Sequence, residues 1–218
     1  MTFSNNSNIS SKAAELAKMA NSSLGDLENY YDKWSDSYDK DLMAMGYEAP
    51  RVAAEAVRNQ GVDPAKPVLD AGCGTGLTGL ELRKAGFEQI MGVDLSTASL
   101  ELARQKGCYK ELKRQNLNEP LGFSDDQFVA AQCVGTLSYV DNIPGLMREF
   151  CRVVCPSGIV LFTHRVDLLN GHFESLLDEI AEESLWTPLF RSQPKPYIPG
   201  HKDFGEEKTI IYDIYQVN

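Results

Sequence analysis

Residues 68–79, VLDAGCGTGLTG, decide the fold of this chain of 218 residues. The apolar pair before Asp70 is typical of a short buried strand that ends in a carboxylate. A run of alternating glycines then separates this strand from a helical pattern that begins at Leu77. A strand, a glycine loop and a helix in this order indicate the first unit of a parallel sheet that binds its ligand at the strand ends.

The segments that follow alternate between strands and helices. Strands are predicted at residues 67–71, 89–94, within 109–117, at 127–133, 159–164, 187–192 and 209–217, and helices at 77–85, 97–106, 143–154 and 173–185. This alternation predicts an α/β fold, a Rossmann-like, seven-stranded and mostly parallel sheet with helices on both faces. The last two strands have no helix between them, so we expect the last strand to be antiparallel.

The N-terminal part of the chain is predicted to be helical. Residues 1–9 are rich in Ser and Asn and are expected to form a disordered tail. Residues 10–61 contain three helical patterns, and the second places Tyr31, Trp34 and Tyr38 at helical spacing. We expect residues 10–218 to form one domain, in which residues 62–218 are the Rossmann-like core.

The composition limits the class of partner and the compartment. The net charge is −10, and no cluster of Lys and Arg is longer than two residues, so a nucleic-acid partner is not expected. Five cysteines without a C-x-x-C pair predict reduced thiols and no metal site. The polar N-terminus and the lack of a long apolar run predict neither a signal peptide nor a membrane span, and we expect a cytoplasmic protein. No pattern indicates an oligomeric state.

The glycine run is compatible with two cofactors. Residues 74–79, GTGLTG, match the G-x-G-x-x-G of NAD- and FAD-binding enzymes, whereas from Gly72 the run is G-x-G-x-G behind Asp70, which suits S-adenosylmethionine (SAM). In a dinucleotide site the first glycine stands where the strand ends, but Gly74 comes four residues after Asp70. A carboxylate at the strand tip repels a pyrophosphate and attracts the ammonium and sulfonium groups of SAM. The spacing therefore favours SAM, with an NAD(P)-dependent oxidoreductase as the weaker alternative.

A second carboxylate, Asp94, ends the second predicted strand. It can accept hydrogen bonds from both hydroxyls of a ribose, which NAD and SAM both carry. Its structural alternative is helix capping, but Ser96 or Thr97 can perform that role here. Two carboxylates at neighbouring strand tips therefore favour a cofactor site over helix capping.

These motifs resemble those of a known family. Residues 68–79 resemble motif I of the class I SAM-dependent methyltransferases, and GVDLS at 92–96 resembles their acidic second motif. QCVGTLSYV at 132–140 is similar to the region after the fourth strand, and residues 149–165 are similar to the helix, turn and fifth strand. YDKWSDSYDKDL at 31–42, with YEAP at 47–50, resembles a subgroup, the methyltransferase-like proteins of the Williams–Beuren chromosomal region.

The resemblance implies a methyltransferase that uses SAM and releases S-adenosylhomocysteine (SAH), and it assigns roles to residues. The glycine loop would hold the methionine end of SAM, through Asp70, Gly72, Cys73, Gly74 and Gly76. The end of the second strand would hold the ribose, through Asp94 and Leu95, and the next loop the adenine, through Asn116 and Leu117. Cys133 and Val134 would also line the cofactor. Many members have Asp where this chain has Asn116, and an Asp in the fourth strand where it has Gln127 or Ala130. Asn can still accept a bond from the adenine amino group, but without charge assistance.

The helix with the aromatic residues has two interpretations. It can form an N-terminal lid in which Tyr31, Trp34 and Tyr38 contact the sulfonium by cation–π attraction. The alternative is an amphipathic helix whose aromatic side chains belong to the core. The resemblance favours the lid, made from residues 10–61.

Residues for the acceptor are expected where the fourth and fifth strands end. Tyr139 and His164 are the candidate catalytic residues, since a histidine there can take a proton near neutral pH. Arg165 can bind an acidic group, and Leu137 and Trp34 are expected to line the acceptor. The structural alternatives are a histidine bonded to a loop carbonyl and an arginine in a surface ion pair.

The acceptor class is limited by motifs that the chain does not contain. Neither the [DN]-P-P-[YFW] motif of enzymes that methylate amino groups of nucleic acids nor the Pro-Cys pair of cytosine-C5 enzymes is present. We therefore expect methyl transfer to a small-molecule acceptor by in-line displacement. A protein that binds SAM and acts by interaction, without catalysis, is the alternative.

Overall fold

The computed structural model describes residues 39–40, 42–168, 171–200 and 208–218. The predictions for the disordered tail, for the first helical pattern and for Tyr31, Trp34 and Tyr38 lie outside these residues. The third predicted helix is present as α1 (Ala49–Asn59). It buries Ala53, Ala54 and Val57 on one face and exposes charged residues on the other, as its helical pattern requires.

The sheet confirms the predicted α/β class. Its strands are β1 (Pro67–Ala71), β2 (Gln89–Asp94), β3 (Glu111–Arg114), β4 (Phe128–Cys133), β5 (Val154–Arg165), β6 (Trp186–Arg191), β7 (Lys195–Pro196) and β8 (Thr209–Val217). Their order is β3-β2-β1-β4-β5-β8-β6, and β7 pairs with β8 beside this path. The strands from β1 to β5 are parallel, whereas β8 is antiparallel to both β5 and β6, as predicted for the last strand. The Pro-rich connection adds β7, a two-residue strand that the sequence did not predict.

Strand β5 is longer than predicted. It starts at Val154 instead of Ile159, and the pairing with β4 shifts between Phe128 and Ala130. The shift accommodates the turn residues, since Ser157 adopts a positive φ of 66° beside Gly158. The predicted turn is therefore an irregularity inside one strand.

The helices lie between the strands as the alternation predicts. They are α2 (Leu77–Lys84), α3 (Thr97–Gln105), α4 (Ile143–Val153) and α5 (Gly171–Glu182). The side chain of Ser96 accepts a hydrogen bond from the Ser99 N–H and caps α3, and Asn142 caps α4 through the Gly145 N–H. Two apolar layers cover the sheet, one containing α1 and the other α4 and α5. The carboxyl ends of β1, β2 and β4 meet at one edge, where a ligand site is expected.

Candidate active site

An open cavity lies at the carboxyl ends of β1, β2 and β4. It is open to solvent at its mouth. The loops after these strands line it: Gly72, Cys73, Gly74, Thr75, Leu77, Thr78, Asp94, Leu95, Ser96, Ser99, Gln115, Asn116, Leu117, Asn118, Val134, Gly135, Thr136, Tyr139 and Val140, with Tyr47 and Pro50 from the N-terminal side.

The three glycines of the loop have different roles. A Cβ on Gly72 would come within 2.6 Å of three side-chain atoms of Thr136, and a Cβ on Gly76 would lie 3.0 Å from the Ala103 backbone. These two glycines therefore permit close packing below the cavity, and Gly76 does not line it. Gly74 has no atom within 4 Å of its Cβ position, so its backbone is open to a ligand.

Asp94 fastens the glycine loop to the end of β2. Its Oδ2 accepts a hydrogen bond from the Gly74 N–H at 2.8 Å, and its Oδ1 accepts one from the Ser96 N–H at 2.9 Å. Ser96 itself caps α3, so the carboxylate is not the helix cap. Asp94 lines the cavity, and a carboxylate oxygen can accept more than one hydrogen bond.

Asp70 lies beneath the loop, not in the cavity wall. It is fully buried, and its carboxylate accepts hydrogen bonds from Thr78 Oγ1 (2.5 Å), Tyr109 Oη (2.7 Å) and Gln132 Nε2 (3.1 Å). Burial raises the pKa of this carboxyl above its ordinary range, although the three hydrogen bonds oppose the shift. Asp70 thus joins β1 to α2, to β4 and to the segment before β3.

Tyr109 also explains the last glycine of the GTGLTG stretch. The Gly79 N–H donates to Tyr109 Oη at 3.0 Å, and a Cβ on Gly79 would lie 2.1 Å from the tyrosine ring. Gly79 lies inside α2, where it permits close packing of a side chain on the helix. It is therefore not part of a loop that could bind a pyrophosphate.

The loop after β3 is organised by two asparagines. Asn116 Oδ1 accepts hydrogen bonds from the backbone N–H (3.0 Å) and the side-chain amide (3.2 Å) of Asn118. Asn118 Oδ1 in turn accepts from the backbone N–H groups of Asp141 and Asn142, both at 2.8 Å. Both asparagines line the cavity, and together they join this loop to the start of α4.

The N-terminal segment reaches the glycine loop through Asp39. The Thr75 hydroxyl and the Lys106 ammonium both donate to the Asp39 carboxylate, and Lys106 Nζ also donates to the Thr75 carbonyl at 2.7 Å. The Asp39 and Lys106 side chains are only 28% and 19% exposed. The loop is therefore fixed from two sides, by Asp94 and by this three-residue junction.

The acceptor residues predicted at the ends of β4 and β5 divide into two groups. Tyr139 lines the cavity, and Arg165 lies behind it, donating from Nη1 to Tyr139 Oη at 3.2 Å. His164 is on the opposite face of β5, where its buried ring packs edge-on against Phe173. Its Nδ1 is 3.1 Å from Oδ2 of Asp213, without the alignment of a hydrogen bond. A catalytic role for His164 stays a prediction, and its side chain is separated from the large cavity.

Comparisons with known proteins agree with this geometry. A family model described as a methyltransferase domain matches residues 69–162. Methyltransferase-like protein 27 from Homo sapiens is 34% identical over 168 residues, which cover 74% of this chain and 68% of that protein. The chain belongs to the class I SAM-dependent methyltransferases. A demethylmenaquinone methyltransferase from Chlorobaculum tepidum is 30% identical over 187 residues, which cover 79% of this chain and 76% of that enzyme.

A solved structure supports the fold of this methyltransferase. Geranyl diphosphate C-methyltransferase from Streptomyces coelicolor A3(2), in complex with Mg²⁺, geranyl diphosphate and SAH, superposes with a TM-score of 0.65 at 17% identity, over 84% of each chain. Membership of the SAM-dependent family, shown by the relative from Homo sapiens, gives SAM as the cofactor, as the spacing of Asp70 and Gly72 predicted, and not a dinucleotide.

Most of the predicted cofactor residues of this methyltransferase lie together. Those that line the cavity are Gly72, Cys73, Gly74, Asp94, Leu95, Asn116, Leu117 and Val134. Those that do not are Asp70 and Gly76, which support the loop, and Cys133, which is fully buried in the core. Leu137, which was expected to line the acceptor, is also fully buried in the core. In the described part of the chain, no group of three or more His, Cys, Asp or Glu side chains is placed to hold a metal ion. Among the same residues, no helix combines the length and apolarity that a membrane span requires.

Several lining residues of the methyltransferase were not predicted. Thr75 and Thr78 belong to the quoted glycine stretch, and Gln115 and Asn118 flank the predicted Asn116, so their neighbourhood was visible in the sequence. Tyr47 belongs to the YEAP stretch at 47–50, but its place in the cavity was not predicted, because this segment before α1 reaches the end of β4 only in the folded chain. Thr136 was missed because its contact with Gly72 joins residues 64 positions apart.

Proposed function

We propose that this methyltransferase transfers the methyl group of SAM to a small-molecule acceptor by in-line displacement. The observation that carries the proposal is the cavity itself, which is lined by Asp94 and Asn116 and also by Gly135 and Tyr139. The net charge of −10 argues against a nucleic-acid acceptor, and one relative is named for a small-molecule acceptor, demethylmenaquinone.

The residues of the cavity fit SAM. The open Cβ position of Gly74 leaves its backbone accessible, the Asp94 carboxylate can accept from ribose hydroxyls, and Leu95, Leu117 and Val134 offer apolar contacts for adenine. Bound SAM supplies a methyl group already activated by a sulfonium, and transfer breaks the S–CH₃ bond as the acceptor's electron pair forms the new bond. The chain then needs to hold, align and desolvate the reactants.

The side chains around the cavity support alignment as the main contribution. Of the described residues that line it, none is His, Lys, Arg or Glu. Tyr139 is not available as a base near neutral pH, because burial raises the pKa of its phenol, despite the opposing charge of Arg165, and the phenol keeps its proton. An acceptor whose nucleophile is already deprotonated, or carries no proton, suits this environment.

The N-terminal helices complete the proposal. We keep residues 10–61 as a lid over residues 62–218 within one domain, and the junction of Asp39 with Thr75 and Lys106 supports it. A cytoplasmic location belongs to the same proposal, and the five free cysteines support it.

Labelling with SAM carrying a tritiated methyl group tests the acceptor class. The protein is incubated with the low-molecular-mass, protein and RNA fractions of a cell extract, and the label is followed in each. Label in the low-molecular-mass fraction supports the proposal, whereas label confined to protein or RNA contradicts it. Binding of SAM with no labelled product in any fraction favours the non-catalytic alternative. Inversion of a chiral methyl group in the product supports a single in-line displacement, and retention contradicts it.

A further inference from the structure

The order of the strands brings the base of the cofactor beside the loop after β3. Along the edge of the sheet, the glycine loop follows β1, Asp94 ends β2, and Asn116 lies just after β3, with β2 between the other two strands. In SAM the ribose lies between the sulfonium and the adenine. With the methionine end at the glycine loop and the ribose at Asp94, the adenine lies on the β3 side, where Asn116 and Leu117 line the cavity.

The orientation of the Asn116 amide is fixed by a backbone group. The Asn118 N–H donates to Asn116 Oδ1 at 3.0 Å, and because a backbone N–H can only donate, this atom is the oxygen and not the nitrogen of the amide. The side-chain nitrogen of Asn118 donates to the same oxygen at 3.2 Å. These two donors use both lone pairs of Asn116 Oδ1, which then cannot also accept from an adenine amino group.

Asn118 is fixed in the same way. Its Oδ1 accepts from the backbone N–H groups of Asp141 and Asn142, both at 2.8 Å, so its side-chain nitrogen is the group that faces Asn116. The side chain of Asn142, which caps α4, also donates to the Asn118 carbonyl at 3.2 Å. Asn118 is therefore held at the start of α4, and it holds Asn116 in turn.

The other polar atom of the Asn116 side chain is a donor. Its Nδ2 donates to Glu119 Oε1 at 3.3 Å, in an exposed contact. An amide nitrogen carries two hydrogens, so Nδ2 can serve Glu119 and a ligand at the same time. Adenine offers acceptors at its ring nitrogens and a donor at its 6-amino group. The Asn116 amide thus matches a ring nitrogen of adenine and not the amino group.

We propose that Asn116, held by Asn118, donates a hydrogen bond to a ring nitrogen of the adenine of SAM and does not accept one from the 6-amino group. This assignment rests on the proposed function, because it requires SAM in this cavity. Asn116 is the residue that touches the cofactor, and Asn118 is a positioning residue that acts through it. The polarity is the reverse of the one that the sequence led us to expect, in which Asn116 accepts from the amino group.

Asn116→Asp tests the polarity by the sign of its effect. One carboxylate oxygen can still accept from Asn118, while the other replaces the Nδ2 donor with an acceptor. In calorimetry, the affinity for SAH should fall by about tenfold or more, because two acceptors then face each other. If Asn116 instead accepts from the 6-amino group, the charge-assisted bond makes this variant bind SAH more tightly. An increased or unchanged affinity overturns the proposal.

Three analogues of SAH distinguish this bond from a general loss of the loop structure. In each of them one ring nitrogen of adenine, N1, N3 or N7, is replaced by a C–H group. We expect at least one analogue to bind the unaltered protein about fivefold more weakly than SAH, and this difference to disappear in Asn116→Ala. Asn118→Ala should reduce the same difference, and an unchanged difference overturns its positioning role. If every difference persists in Asn116→Ala, or none exists, the bond to a ring nitrogen is overturned.

Two further variants control for the added charge. Asn59→Asp introduces the same charge at the exposed end of α1, outside the cavity lining, and should leave SAH affinity unchanged. Glu119→Gln removes the repulsion between Glu119 and the new carboxylate of Asn116→Asp. The fall in affinity should persist in this background, and a fall that vanishes there overturns the proposal. Failure of SAH to bind the unaltered protein instead overturns the proposed function.

Discussion

The Gly74 N–H donates to Asp94 Oδ2 at 2.8 Å, although the two residues are twenty positions apart in the sequence. The carboxylate that faces the cavity thus also closes the glycine loop onto the end of β2. With SAM bound in this cavity as proposed, loop geometry and cofactor binding would depend on the same side chain. Asp94 and Asp70 therefore differ in role, because Asp70 is buried beneath the loop and does not line the cavity.

Replacing Asp94 should therefore remove cofactor binding more completely than one lost contact would. Asp94→Ala deletes both loop bonds and the acceptors for the ribose, and each bond to a charged group contributes about 1.5–3 kcal/mol. We expect SAM and SAH affinity to fall by about 100-fold or more in calorimetry. Asp178→Ala, an exposed carboxylate on α5, is the matched control and should bind normally. Normal SAM binding by Asp94→Ala would remove Asp94 from the site.

Asp70 gives the opposite expectation for cofactor affinity. If it positions the loop from beneath, Asp70→Asn should change SAM affinity by less than about threefold, because the amide can keep part of the hydrogen-bond network. A direct contact with the SAM ammonium, as the sequence led us to expect, would instead cost about tenfold or more. Calorimetry on this variant distinguishes the two roles.

The same variant reveals a pH dependence of stability. Burial raises the pKa of folded Asp70 above its ordinary value of 3.8, so the folded state favours the protonated form. The Asp70 contribution is fully present below that value and is lost as the pH rises through the higher folded pKa. Relative to Asp70→Asn, the unaltered protein should lose free energy of unfolding as the pH rises above about 4. Urea unfolding over a pH series measures this difference, and a gain with rising pH would contradict it.

The glycines of the loop should differ in their tolerance of a side chain. Gly72→Ala places a Cβ within 2.6 Å of Thr136 at a φ of +73°, so both a clash and backbone strain oppose folding, and we expect a loss of about 2–4 kcal/mol. Gly74→Ala meets no atom within 4 Å and carries only the strain of its φ of +51°, about 1–2 kcal/mol. Denaturant unfolding of both variants measures the order. A smaller loss for Gly72→Ala than for Gly74→Ala would contradict the packing role of Gly72.

Local patterns in the sequence predict the elements better than the contacts between them. The strands β1 and β2 and the carboxylates at their tips were predicted because each depends on a few consecutive residues. The burial of Asp70 could not be predicted, since it depends on Tyr109 and Gln132, which are 39 and 62 positions away. His164 shows the same limit: its position at the strand end is local, but the face of the sheet on which it lies depends on the pairing of β5 with β8.

The junction of Asp39 with Thr75 and Lys106 should contribute to cofactor affinity from outside the cavity. Lys106→Met removes the ammonium that joins Asp39 to the Thr75 carbonyl and keeps the apolar stem, so the loop loses one of its two fixings. A partly buried pair of this kind contributes about 1 kcal/mol, and we expect SAM affinity to fall by about fivefold.

The control for this junction is a second lysine that pairs with a carboxylate away from the cavity. Lys84→Met breaks an exposed pair with Glu81 on α2 and should leave SAM binding unchanged. In a double-mutant cycle, Asp39→Asn should add little to Lys106→Met, because both remove the same contact. Fully additive losses would show that the two residues act on the cofactor independently, and the N-terminal segment would then have no hold on the loop through this junction.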